Sequence, residues 1–171
     1  NIKDGISANF NADGFIKPDK INMISDGKFS ESLTSPRSSL EYSVPHNASS
    51  TAEYPYSIDM NAGSVSDDSI LSTINNGLYI SNLWYLNFSD RNNGRMTGLT
   101  RFGCFIIENG KLTAPINTMR FDDSVYSMLG ENLIGFTSKR ELLIDSGTYE
   151  ERSTSSARLP GALVNNFKMT L

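Results

Sequence analysis

Apolar and polar positions are organised most clearly between Gly77 and Phe121, GLYISNLWYLNFSDRNNGRMTGLTRFGCFIIENGKLTAPINTMRF. Three apolar runs are separated by Asn92-Asn93-Gly94 and by Asn109-Gly110. Asn and Gly tolerate the positive φ values that a tight hairpin needs, so the pattern predicts a β-meander. Asp26-Gly27 gives the same signal between residues 21–25 and 28–33, a second hairpin. Further along, residues 57–60 and 141–145 read as short strands, and Ser146-Gly147 as a turn. Residues 162–171 alternate through Leu163, Phe167, Met169 and Leu171, with a slip at 164–166 that reads as a bulge.

Helical signals are fewer. Ser35-Pro36 has the form of an N-cap followed by Pro at the first helical position, predicting a helix over 37–42 that stops before Pro45. Ser66 is the expected cap of a helix over 67–75. Asp67 and Asp68 occupy its first turn, where the helix dipole favours negative charge. Ile70, Leu71 and Ile74 share one face, and Gly77 is its expected stop. Asp122-Asp123 precede a third helical pattern over 124–132, with Val125, Met128 and Leu129 as the buried stripe. Pro45 to Pro55 and Ser153 to Pro160 are polar and read as loops, the first a mobile one.

Many short strands and few helices place the chain in the α+β class, β-dominated. The expected form is an antiparallel pseudo-barrel or sandwich with two or three short helices. At 171 residues the chain suits one domain with a real core. A net charge of −4 gives no electrostatic reason to bind nucleic acid. No apolar run has the length of a membrane span, and the opening NIKDGISANF has no secretory pattern. A chain beginning at Asn1 is expected to be a processed product or a fragment. The single cysteine, Cys104, excludes an intramolecular disulfide and points to a reducing, cytoplasmic setting. Within the apolar run 102–107 it is expected to be a small buried hydrophobe.

The central motif has a family likeness. Thr97-Gly98-Leu99-Thr100-Arg101-Phe102-Gly103, then Phe105-Ile106-Ile107-Glu108-Asn109-Gly110-Lys111, then Pro115, resembles the C-terminal domain of the TldD/PmbA family. Those proteins are known as zinc metallopeptidases and as modulators of DNA gyrase. The likeness runs from DGFIKPDKINMISDGKFSESLTSPRSSLEY to Ser156-Ala157-Arg158-Leu159-Pro160-Gly161. It implies a β-dominated pseudo-barrel and a single C-terminal β-domain over residues 1–171, with the family's N-terminal half absent. It further implies a part in peptide or protein maturation by proteolysis, a homodimer or heterodimer with a TldD/PmbA-type subunit, and an extended peptide as substrate.

The family's chemistry does not transfer to this chain. Catalytic relatives carry His-Glu-x-x-x-His on a helix of the other half. There the histidines bind zinc, and the glutamate is general base. A cysteine near the C-terminus completes that site. Here the only histidine is His46, and the region of the ligand cysteine reads Thr154-Ser155-Ser156-Ala157-Arg158. Cys104 does not match the ligand position. No catalytic residue and no metal ligand is therefore assigned. Zinc is expected only in a full-length protein or a partner subunit, and the chain is closer to the non-catalytic PmbA-type branch.

The candidate contact residues of a cleft or interface are His46, Asn47, Trp84, Tyr85, Arg101, Ser155 and Ser156. His46 reads first as a solvated loop histidine, Asp122-Asp123 as helix caps before an acid–base pair. Arg91, Arg95, Arg101 and Arg120 are expected to pair with carboxylates or backbone carbonyls. Trp84 and Tyr85 point to opposite faces of a strand, so at most one belongs to a core. The Asn47-Ala48-Ser49 and Asn87-Phe88-Ser89 sequons read as chance matches. The competing functional class is a non-enzymatic binding or assembly module that captures a partner protein along a sheet edge.

Overall fold

The computed structural model describes residues 5–149 and 151–170. They form two compact units, one from residues 1–61 and 140–159, the other from 62–139 and 160–171.

In the first unit, β1 (Ile24–Ser25) and β2 (Lys28–Phe29) make the hairpin expected at Asp26-Gly27. Both turn residues have positive φ, 52° and 73°. Ser30 N and Glu31 N continue the pairing onto Met23 O and Asn22 O. Helix α1 (Pro36–Tyr42) follows, with Pro at its start and Ser35 Oγ accepting from Ser38 N. Strand β3 (Ser57–Asp59) pairs with the first residues of β9 (Ser156–Val164), Ser57 opposite Ser156 and Asp59 opposite Arg158. That pairing is parallel, unlike the all-antiparallel arrangement expected.

The buried residues of this unit are small or polar: Asn11, Ser35, Ala48, Ser49 and Ser156. Hydrogen bonds hold them where apolar bulk is scarce. Asn11 Oδ1 accepts from Asp13 N and Phe15 N. The Asn47 side chain joins Thr34 N to Ser32 O. Glu53 Oε1 accepts from Ser35 N, and these bonds hold the carboxyl below its ordinary value of 4.5. The loop between Pro45 and Pro55 is thus a loop as predicted, but Ala48 and Ser49 are buried and its backbone is tied down.

In the second unit the five-stranded sheet is built around β5 (Arg95–Glu108). The long strand β4 (Gly77–Asp90) pairs along one edge of β5. On the other edge β6 (Lys111–Pro115) takes the far end and β7 (Arg120–Ser124) the near end. Strand β10 (Met169–Thr170) pairs outside β7. The meander is the one the pattern predicts. Its turns carry φ of 58° at Gly94, 50° at Asn109 and 72° at Gly110. Cys104, Ile107, Phe121, Met128 and Leu163 form the apolar core, and the Phe167 ring lies 5.2 Å from Phe121.

Several local predictions give way to tertiary partners. The helix expected over 67–75 is a 3₁₀ turn, Asp67–Ser69, running into α2 (Ile70–Ile74). Ser66 makes no side-chain cap, and the helix ends at Asn75, φ 55°, while Gly77 already opens β4. Asp122 and Asp123 are not caps but strand residues of β7, opposite Thr97 and Met96. The helix expected over 124–132 contracts to a π-helical turn, Ser127–Glu131, in which Met128 is buried and Leu129 is exposed.

Strand β8 (Leu133–Ile144) is far longer than the 141–145 predicted. Strand β9 occupies the stretch read as a loop up to Pro160, because β3 and β8 flank it and supply its partners. The slip at 164–166 is a break rather than a bulge, with Asn166 at φ 53°. Leu171 lies outside the described residues. The α+β, β-dominated class holds, with three sheets and, among the described residues, no closed barrel.

Candidate functional site

The sequence-predicted contact residues fall into two groups, one in each unit. In the first unit, His46 is exposed, packs edge-on against Phe15 at 4.9 Å, and accepts from Ala48 N through Nδ1. Asn47 follows it and lines a cavity of about 100 Å³. Ser57 is also on that wall, and Ser156 is its partner across the β3–β9 pair. Ser156 N donates to Tyr56 O, and its buried Oγ has no hydrogen-bond partner among the described residues. Ser155 is half-buried, its carbonyl accepting from Asp145 N.

The cavity is lined by both apolar and polar side chains. Ile21, Met23, Leu33 and Pro55 give it apolar walls. Lys17, Lys20, Ser50, Tyr54 and Tyr56 give it polar ones. Lys17 Nζ donates to Ala8 O at 3.2 Å and stands 5.8 Å from the centre of the Tyr56 ring. None of the described residues on the wall is a carboxylate. Sequence reasoning found Asn47 here but missed the lysines and tyrosines. The two segments are more than thirty residues apart, and no local pattern announces that they meet.

In the second unit, Trp84, Tyr85 and Arg101 lie on β4 and β5. Trp84 and Tyr85 are both exposed, 50% and 74%, so neither belongs to a core. Tyr85 has φ 58° at a register shift between Trp84 and Asn87, which breaks simple alternation. Arg101 is exposed, and its carbonyl accepts from Ser81 Oγ and Cys104 Sγ. Cys104 is buried as expected.

Strand β4 is hydrogen-bonded to β5 along one edge, and no second strand pairs with it among the described residues. From Gly77 to Ser89 it contains no charged residue and no proline. Leu78, Tyr79, Trp84, Tyr85, Leu86 and Phe88 along it are all exposed.

The other arginines find varied partners. Arg95 pairs with Asp122 at 2.6 Å and holds that carboxyl below its ordinary value of 3.8. Arg120 donates to Thr97 Oγ1, and the Arg91 guanidinium stands 5.8 Å from the centre of the Phe88 ring. Asp123 is buried and accepts from Ser124 N and Lys168 N, a structural carboxylate.

The chain matches the PmbA/TldA metallopeptidase C-terminal domain over residues 3–171. It belongs to that family. Solved structures share the fold at low identity. TldE from Thermococcus kodakarensis is 14% identical, with a TM-score of 0.74. A candidate modulator of a DNA gyrase from Thermotoga maritima is 12% identical, with a TM-score of 0.72. Each comparison covers 96% of this chain and 36% of the other. A candidate DNA gyrase modulator from Bacteroides thetaiotaomicron is 18% identical, with a TM-score of 0.62, over 96% of this chain and 32% of its own. This chain thus spans about a third of the length of those proteins. No curated protein sequence matches it.

The family's description implies a metal, and the described residues do not fit one. Among them no three His, Cys, Asp or Glu side chains come together as a metal site. Cys104 Sγ is turned to a backbone carbonyl, and His46 Nδ1 already accepts a backbone N–H. No zinc-dependent step is therefore derived from this domain's residues.

Proposed function

We propose that this domain is the non-catalytic C-terminal part of a PmbA/TldD-type assembly that matures peptides or proteins by proteolysis. Its contribution is the surface through which subunits of that assembly join. The supporting observation is the open edge of β4. Long exposed edges are normally blunted by charge, proline or a covering element, because they pair with other chains. This edge carries neither charge nor proline over thirteen residues. Its aromatics Tyr79, Trp84, Tyr85 and Phe88 are 42%, 50%, 74% and 54% exposed. Together they present on the order of 400 Å², about half of the roughly 800 Å² that each partner contributes to a stable interface. In a net-acidic chain, a charge-free strand is also where a second acidic subunit approaches without repulsion.

The peptidase centre belongs to the rest of the assembly. Near neutral pH a water needs a bound metal or a strong base to become a nucleophile, and the donor set for a metal is not gathered here. The buried lone thiol of Cys104 fits work in a reducing cytoplasm. Neither nucleic acid nor membrane enters this reading. The described residues include no helix long and apolar enough to cross a membrane.

Sedimentation equilibrium with the Tyr85→Lys/Phe88→Lys variant tests the interface. We expect the subunit dissociation constant to rise at least about tenfold, since buried aromatics dominate interface energies. Unchanged association would reject β4 as the joining surface. Peptide hydrolysis with added zinc tests the division of labour. The 171-residue chain alone is expected to be inactive, and a zinc-dependent activity in it would overturn the non-catalytic assignment. The same edge also suits a purely structural module. A co-purifying subunit that carries His-Glu-x-x-x-His decides for the peptidase assembly.

A further inference from the structure

We infer that the cavity of the first unit is a binding site for a small carboxylate with an apolar body. This goes beyond the proteolytic reading and does not depend on it. The chain as a whole carries a net charge of −4, yet two lysines, Lys17 and Lys20, are among the residues that line this cavity. No described residue of the wall is an Asp or Glu, and Asp19, between them in sequence, is not part of it. The bond from Lys17 to the Ala8 carbonyl and its approach to the Tyr56 ring are contacts with neutral groups, so its charge is not cancelled there. Lysines in a lining with no counter-carboxylate among the described residues favour an anionic ligand.

The apolar lining residues select which anion. Ile21, Met23, Leu33 and Pro55 cannot hydrogen-bond through their side chains, and a fully polar oxyanion such as phosphate would be desolvated against them without recompense. A carboxylate joined to a hydrocarbon group satisfies both kinds of lining residue. Its oxygens take the ammonium groups and its apolar body covers the apolar side chains. The buried Oγ of Ser50, another lining residue, lacks a partner among the described residues, as expected of a site whose ligand completes it. The cavity of about 100 Å³ is enough for a short branched chain, not for a nucleotide. Two sources present this chemistry: a free short-chain carboxylic acid, and the C-terminal residue of a peptide.

The test is a chemical-shift titration of the ¹⁵N-labelled protein with three probes, 4-methylpentanoate, N-acetyl-leucine and N-acetyl-leucinamide. Saturable shifts confined to the amides around Lys20, Ser50 and Tyr56 are expected with either acid and not with the amide. Binding of both acids identifies a general carboxylate site, and binding of N-acetyl-leucine alone identifies a peptide C-terminus. Lys20→Gln, at an exposed position, should weaken the acid about fivefold, while Lys111→Gln on β6 should leave it unchanged. Equal binding of the amide, shifts elsewhere, or no shift with any probe would overturn the inference. These outcomes are separate from the association of subunits through β4, so each reading can fail alone.

Discussion

Gly98 illustrates how one residue of the central motif is fixed by its surroundings. A Cβ there would lie 2.8 Å from both Phe121 Cε1 and the Trp84 carbonyl oxygen, and 2.9 Å from Leu86 Cδ2. The carbonyl belongs to the paired strand and cannot move aside without breaking the ladder. Gly98→Ala is expected to cost about 1–3 kcal/mol in urea unfolding. Gly103→Ala meets only the Phe105 ring, at 3.3 Å, which can rotate. It should cost well under half as much, and equal costs would contradict this packing.

Three carboxylates contribute to the acid limb of stability. Glu53, Asp90 and Asp122 all sit below their ordinary values. The leading causes are hydrogen bonds from Ser35 N, from the Asn93 side chain and from the Arg95 guanidinium, respectively. Their folded values are lower than the unfolded ones, so the folded state binds fewer protons. The stabilisation is complete above the unfolded values of 4.5 and 3.8 and is lost as pH falls through the lower folded ones. Lys139 beside Asp67 behaves oppositely. Its raised value gives stability that is present below 10.5 and lost as pH rises beyond that. Arg95→Met should return Asp122 toward 3.8 in an NMR titration of its carboxyl. An unmoved Asp122 would show that the pair is not the cause.

At the scale of the element, legibility depends on whether the signal is local. Helix α1 was legible because Ser35-Pro36 both caps it and sets its first φ. Ser35→Ala should destabilise by about 0.5–2 kcal/mol and abolish exchange protection at Ser38 N, which the Ser35 hydroxyl now holds at 3.1 Å. The Asn109-Gly110 and Asp26-Gly27 hairpins were legible for a similar reason, the positive φ both turns require. Strand β7 was not. An acid pair before an apolar stripe has the local form of a capped helix. Arg95, and Lys168 N some forty residues away, take those carboxylates instead. Strand β9 was hidden by Ser153 and Ser155 just before it and by Ser156 and Pro160 within it, residues that favour loops, until β3 and β8 enclosed it.

At the scale of the molecule, the six buried hydrophobic residues among those described are a small core for a chain of this length. Large apolar side chains instead remain exposed along β4, the observation on which the proposed interface rests. The Tyr85→Lys/Phe88→Lys variant should therefore lose association while keeping its unfolding transition, because neither side chain is buried in the chain itself. If that variant lost stability as well, the face would belong to the domain's own folding.

The sequence by itself determined the β-dominated class, the two hairpins with their turn chemistry, the first helix and the family motif. Each rests on spacing or on backbone torsions that a few adjacent residues impose. The tertiary structure alone decided that Asp122 and Asp123 serve a strand, that β9 is enclosed, that β4 keeps an open edge, and that Lys17 and Lys20 meet Tyr54 and Tyr56 around one cavity. Those outcomes depend on partners far apart along the chain. A side chain's burial and its hydrogen-bond partner are properties of the packed molecule, and no local pattern encodes them.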